Sequence, residues 1–254
     1  MSEEKVIEVR NLTVSYGLKP ALLDVSFSVA RGNLIGVIGP NGAGKSTLIK
    51  SILGFLKPDI GEVRLDGVPA GKAKGKVAYV PQRGSVDWDF PVTVEEVAMM
   101  GRYGRIPFWR DPGAKDQEAV EKALDMVRMS AHRNTQIGQL SGGQQQRVFM
   151  ARALTQGSQI SALGGAFRHH GVDAATNERI LDCALARESR GQRPLSLFIA
   201  DLSTAAEYFD KLVLVKQRLY AYGPPEYVLR EDLLSEVYEG RLKAFSNLRE
   251  KGGD

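Results

Sequence analysis

An α/β fold, a sheet interrupted by an all-helical insertion, is predicted by three observations. Short apolar runs punctuated by glycine and proline fill the first third of the chain and return after residue 160. The stretch from Thr93 to about Leu154 has helical spacing instead. Leu34 to Ile38 is apolar almost throughout, as a strand buried on both faces is, and it runs directly into a glycine-rich turn.

In chain order, Val6 to Val9, Val25 to Val29 and Leu34 to Ile38 read as strands. Gly39 to Gly44 is the turn, and Ser46 to Leu56 has helical spacing. Glu62 to Leu65 and Lys76 to Val80 are strands ended by Asp66-Gly67 and by Pro81. Thr93 with Glu96 forms a capping box, and Lys115 to Val127 is a charged amphipathic stretch. Strands return at Ile160 to Leu163, Leu195 to Ile199 and Leu212 to Val215, with a helix over Ala174 to Glu188 between the first two. Lys72, Lys74 and Lys76 mark a solvated turn.

The 254 residues, 43% hydrophobic and 25% charged, exclude a disordered tail, a collagen-like fibre and a disulfide-stapled module. A net charge of +4 spread along the chain does not point to nucleic acid, whose binders cluster their charge. The single cysteine, Cys183, fits a reducing compartment, and His132, His169 and His170 are too few for a histidine-built metal site. Met1 to Val6 is polar and no apolar run approaches the ~20 residues of a membrane span, so membrane association is expected only through a partner.

Gly39-Pro40-Asn41-Gly42-Ala43-Gly44-Lys45-Ser46, followed by Thr47, fits the phosphate-binding pattern G-x-x-x-x-G-K-[ST] between a strand and a helix. Its glycines let backbone N–H groups face phosphate, Lys45 reaches the β- and γ-phosphates, and the Ser46 hydroxyl suits Mg²⁺. A glycine-rich turn without function is the competing reading, but Lys-Ser directly before an apolar helix has little other use. A second motif, Leu140-Ser141-Gly142-Gly143-Gln144-Gln145-Gln146-Arg147, opens another helix with a hydroxyl and free amides. Alone it is an N-capped helix; paired with the upstream loop it becomes specific.

Together these motifs resemble the ATP-binding subunits of ABC transporters, whose signature is Leu-Ser-Gly-Gly-Gln. The resemblance runs from Val6 to about Leu229. It implies a P-loop ABC-type nucleotide-binding domain: a RecA-like core over 1–82 and 155–229, an antiparallel β-subdomain, a helical subdomain over 83–154, and a tail over 230–254. It further implies that Tyr16 stacks on adenine, that Gln82 touches Mg²⁺, and that Asp173 lies at a subunit interface. The alternatives are an exposed hairpin tyrosine, a turn glutamine and a helix N-cap. Val80 to Pro91, Met100 to Gly104, Asp201 to Thr204 and Ala221 to Pro225 are similar to the subfamily serving manganese, zinc and iron importers. The implied cofactors are ATP and Mg²⁺. The implied partners are a second nucleotide-binding subunit, expected as a homodimer, a transmembrane permease and, indirectly, an extracytoplasmic metal-binding protein. The implied location is peripheral, on the cytoplasmic face of the membrane.

One segment departs from that family. Gly164 stands where its Mg²⁺-organising aspartate belongs, Gly165 where its water-polarising glutamate belongs, and Ala200 where its γ-phosphate histidine belongs. Glycine brings neither charge nor acceptor, and loss of a positioned base typically costs ~10²–10⁴ in rate. The chain is therefore expected to bind nucleotide and hydrolyse it poorly. His169 and His170 read as solvated loop residues, not substitutes. Two explanations compete: a pseudo-ATPase that works as a dimerisation switch, and a local frame slip or deliberate change. Gly165 to Arg168 can be encoded GGA GCC TTT CGC, which one base later reads Glu-Pro-Phe, the family's own sequence. The weakened strand at Ser161 and Ala162 favours the second explanation.

Overall fold

The computed structural model describes residues 5–73, 75–80, 90–158, 160–163, 195–199 and 202–238. The expected sites Gln82, Asp173, Gly164, Gly165 and Ala200, and the expected helix over 174–188, lie outside the described residues.

Two sheets organise the described chain. Strands β1 (Lys5–Tyr16), β2 (Lys19–Ala30), β4 (Ile60–Leu65) and β5 (Val68–Pro69) form an antiparallel sheet in the order β2-β1-β4-β5. Strands β3 (Leu34–Ile38), β6 (Val77–Val80), β7 (Ile160–Leu163), β8 (Leu195–Ile199), β9 (Lys211–Lys216) and β10 (Arg218–Gly223) form a second sheet in the order β10-β9-β3-β8-β7-β6. All its pairings are parallel except β9 with β10. The helices are α1 (Lys45–Ile52), α2 (Val94–Met100), α3 (Ala114–Met126), α4 (Gly142–Gln156), α5 (Leu202–Tyr208), α6 (Pro225–Val228) and α7 (Glu231–Tyr238).

The continuous apolar run of β3 reflects burial on both faces. Leu34 and Ile38 join one hydrophobic cluster, with α2, α3 and α4, while Ile35 and Val37 join the other, with α1 and the antiparallel sheet. β9 divides the same way, Leu212 and Leu214 against Val213 and Val215, as the two-residue period of a strand requires. α1 and α4 are thereby on opposite faces of the mainly parallel sheet.

Three elements differ in extent from the sequence expectation. β1 and β2 run much longer than their apolar centres, because they continue through irregular pairing where Asn11 (φ 47°) and Asp24 (φ 50°) are left-handed. Hydroxyls support that kink: Ser26 Oγ accepts from Asn11 N at 2.7 Å and Thr13 Oγ1 from Asp24 N at 3.1 Å. α1 ends at Ile52, short of Leu56, because Gly54 turns left-handed at φ 73°. The amides of Gly54 and Phe55 then donate to Ser51 O and Lys50 O, closing the helix in a Schellman pattern.

α4 covers β6, the edge strand of its sheet. Arg152 Nη2 donates to Tyr79 O at 2.9 Å, Gln156 Nε2 to Val77 O at 2.9 Å, and Ser158 Oγ to Gly75 O at 2.9 Å. Four residues of helix rise ~6 Å and two residues of strand ~6.6 Å, so helical i, i+4 side chains match alternate strand carbonyls. The same contacts satisfy an edge that would otherwise invite pairing with another chain. Arg152 also lies 4.7 Å over the Phe149 ring, and its burial disfavours the charged form, lowering its pKa.

Candidate functional site

The phosphate-loop residues follow the C-terminal end of β3. Register places that end among its neighbours: Val37 pairs with Ile199, Phe198 with Leu163, and Leu163 with Val80. The strands that lead in sequence into Gln82, Gly164 and Ala200 therefore finish on the same sheet edge as the strand leading into the loop. The C-terminal edge of a parallel sheet is where ligands of open α/β folds bind.

The loop is held by close main-chain approaches that no other residue at Gly39 or Gly44 would allow. Gly39 adopts φ 148°, and a Cβ there would stand 2.1 Å from the carbonyl oxygen of Val215. Gly44 adopts φ 96°, and a Cβ there would stand 2.6 Å from Ala21 O and 2.7 Å from Leu22 Cδ2. Ala43 N donates to Pro40 O at 3.2 Å, and Ala43 O accepts from Gln217 N at 2.9 Å. Gln217 O in turn accepts from Leu23 N at 2.7 Å, so the β9–β10 turn pins both loop and hairpin. Sequence reasoning missed Gln217: it is left-handed at φ 59°, but no glycine or asparagine marks the turn.

Lys45 begins α1 and folds back on the loop, its Nζ donating to Gly39 O at 2.5 Å and Pro40 O at 2.8 Å. Gly44 occupies the N-cap of α1, no side chain caps that end, and no acid occupies the first turn. The first-turn amides of this helix thus lack the side-chain acceptor that α2 and α4 supply from Thr93 and Ser141. An anion would fill that role, favoured by the positive end of the helix dipole. Asn41, Gly42 and Ser46 are accessible at the loop, whereas Ala43 (4% exposed) and Thr47 (7%) are buried. Tyr16 closes β1 opposite Lys19 and is 54% exposed, on the hairpin whose Ala21 and Leu22 abut Gly44.

The second motif is placed separately. Ser141 is the N-cap of α4 and Gln144 its third residue, in a reciprocal capping box: Gln144 Oε1 accepts from Ser141 N at 2.8 Å, and Ser141 Oγ from Gln144 N at 3.4 Å. Ser141 is exposed, with Gly142 and Gly143 half-buried behind it. The helix it opens is on the opposite sheet face from α1, so loop and signature present themselves from different layers of one chain.

A pair that sequence reasoning did not single out is Phe108 and Trp109, packed edge to face at 4.9 Å and exposed by 95% and 76%. Their only signal was adjacency between Arg105 and Arg110. Among the described residues no group of three or more His, Cys, Asp or Glu side chains is placed to hold a metal, and no helix is long and apolar enough to cross a membrane.

A family model described as ABC transporter matches residues 22–164, from β2 through the loop and α4 to the end of β7. The chain belongs to the ABC transporter family. It is the ATP-binding part of such a transporter, and the family match ends at Gly164. The manganese transport system ATP-binding protein MntB of Bacillus subtilis (strain 168) is 46% identical to this ABC subunit over 236 residues, 93% of each chain. The zinc transport system ATP-binding protein TroB of Treponema pallidum (strain Nichols) is 43% identical over 238 residues, 94% of this chain and 88% of that one. The ADP conformation of an ATP-binding cassette from an ABC transporter matches with TM-score 0.76 at 25% identity, covering 93% of this chain and 99% of that one. The dimeric structure of a bacterial ABC transporter cassette, 23% identical with TM-score 0.75 over 86% of this chain and 98% of that one, shares the fold.

Proposed function

We propose that this chain is the energy-coupling subunit of an importer for manganese, zinc or iron, and that as it stands it binds MgATP while hydrolysing it poorly. The observation that carries the transport reading is the identity of 46% to a manganese transport subunit across 93% of both chains. Relatives named for zinc and chelated iron transport support the wider substrate class.

In this reading Gly39 to Thr47 cradle the triphosphate. Its oxygens replace Gly39 O and Pro40 O as acceptors for Lys45, and meet the uncapped first-turn amides of α1. Tyr16 contributes an exposed ring to adenine. Ser46 and Gln82 are the Mg²⁺ donors; the accessible Ser46 hydroxyl is a hard oxygen that fits an ion otherwise held by phosphates and water. When bound, Mg²⁺ neutralises phosphate charge. Ser141 to Gln144 close on the ATP of a second copy, with Asp173 at that interface, and residues 83–154 act as the helical subdomain. A permease holds the subunit on the cytoplasmic face of the membrane, and an extracytoplasmic protein delivers the ion to it. The exposed Phe108–Trp109 pair supports a protein partner for the helical layer.

Gly164, Gly165 and Ala200 favour a second reading, a non-hydrolysing switch that dimerises on ATP. Equilibrium binding and Mg²⁺-dependent phosphate release test what both readings share, and purification with a multi-span membrane protein separates the importer subunit from the switch. Turnover near one per second refutes impaired hydrolysis. Lys45→Ala is expected to weaken ATP binding by about 10- to 100-fold, the loss of charge-assisted hydrogen bonds. Unchanged affinity in that variant, or failure to co-purify with any multi-span membrane protein, would remove the basis of the proposal.

A further inference from the structure

We propose that His132 is a positioning residue for the signature end of α4, holding the Ser141 cap through the side chain of Gln144. His132 ends a short 3₁₀ turn, Ser130–His132, twelve residues before Gln144 in the chain. Its Nε2 lies 3.3 Å from Gln144 Nε2. The same amide presents Oε1 to Ser141 N at 2.8 Å.

The roles in this chain of contacts are forced from one end. The backbone N–H of Ser141 can only donate, so Gln144 must present its oxygen there. Its NH₂ then faces the imidazole, and the ring nitrogen that receives it must be an unprotonated acceptor, with the ring proton on Nδ1. The acceptor on His132 therefore selects the amide orientation that the cap of α4 needs. Neighbouring polar groups are engaged with other partners: Ser130 Oγ bonds Asp125, and Arg133 pairs with Glu95 at 2.7 Å and lies 3.9 Å from Glu121. The adjacent Gln145 fastens the same loop by a separate bond, its Nε2 donating to Ile137 O at 3.1 Å. The loop can thus stay docked while the His132 contact is varied.

The consequence for function rests on the ATP-sandwich reading above. Phosphate oxygens accept hydrogen bonds, so the signature must offer donors. With Ser141 N engaged by Gln144 and Ser141 held at φ −62°, ψ 159°, its exposed hydroxyl retains its proton for an outside acceptor. The amides of Gly142 and Gly143 open the helix beside it, without intrahelical acceptors. A donor in place of the ring would set N–H against N–H, turn the amide and release the cap.

Three substitutions separate the acceptor from mere bulk: His132→Gln keeps an acceptor, His132→Leu removes it, and His132→Lys supplies only donors. Amide hydrogen exchange at Ser141 in the nucleotide-free monomer reads positioning directly. It is expected to be near wild type for His132→Gln, about tenfold faster for His132→Leu, and faster still for His132→Lys. Sedimentation with MgATP then reads the consequence. ATP affinity of the monomer is expected to be unchanged in all three, while the leucine and lysine variants dimerise about tenfold more weakly or worse. Exchange that is equal in all variants, or as fast in His132→Gln as in His132→Leu, overturns the positioning role. Wild-type protein that fails to dimerise on MgATP overturns the sandwich reading instead, and the exchange result still decides the role of His132.

Discussion

Gly164→Asp combined with Gly165→Glu and Ala200→His is expected to raise MgATP hydrolysis by at least about two orders of magnitude over the parent chain. β7 is paired in parallel between β6 and β8, and its last residue, Leu163, is level with Val80 and Phe198. β7 and β8 therefore end on the same sheet edge as β3, which leads into the loop at Gly39. In the proposed reading a carboxylate at the first position orients the metal-bound phosphate, one at the second polarises the attacking water, and an imidazole after β8 holds the γ-phosphate. A positioned base alone contributes ~10²–10⁴. The three act as a unit, so single substitutions should recover little and the combination much more. Phosphate release measured on parent, single and triple variants checks this, with Lys45→Ala in the restored background returning the rate to the baseline. A triple variant no faster than the parent would place the defect elsewhere in 157–200, and sequencing the gene across those codons would locate it.

Gly39→Ala is expected to have the largest effect on stability, a loss of about 3 kcal/mol or more. The φ of 148° is a conformation that alanine strongly resists, and its methyl would stand 2.1 Å from Val215 O. Val215 is fully buried in a central strand, so the loop must give way instead. ATP binding should be lost with the displaced loop. Gly42→Ala is the control: φ is 79°, but a Cβ there meets nothing within 4 Å, so only the backbone strain of about 1 kcal/mol remains. Urea unfolding and ATP titration of both variants test the contrast. Equal midpoints for Gly39→Ala and the parent would contradict the close approach.

How much was legible follows from the range of each interaction. The boxes at Thr93–Glu96 and Ser141–Gln144 were readable because a cap closes within one helical turn. The doubly apolar β3 was readable because strand periodicity is a property of adjacent residues. β7 was weakened on paper by Ser161 and Ala162, yet it pairs on both sides, and those pairings come from residues far along the chain. The end of α1 at Gly54 did have a local signal, the glycine itself, outweighed by the apolar spacing that runs on to Leu56. Gln217, His132 and the Arg152–Tyr79 contact had none, because each acts on a backbone or side chain that only folding brings near.

The sequence by itself determined that a phosphate loop is present, that a signature helix starts at Ser141, and that Gly164, Gly165 and Ala200 stand where the family resemblance implies catalytic residues. These are statements about residue types at short spacings, and spacing within a turn or a strand is enforced by the backbone alone. Tertiary structure decided which strand ends share an edge, that α1 and α4 occupy opposite faces of the sheet, and that the β9–β10 turn ties the loop to the hairpin. Strand order and layer assignment arise from burying apolar faces contributed by distant segments, and no local pattern encodes which distant face will be met.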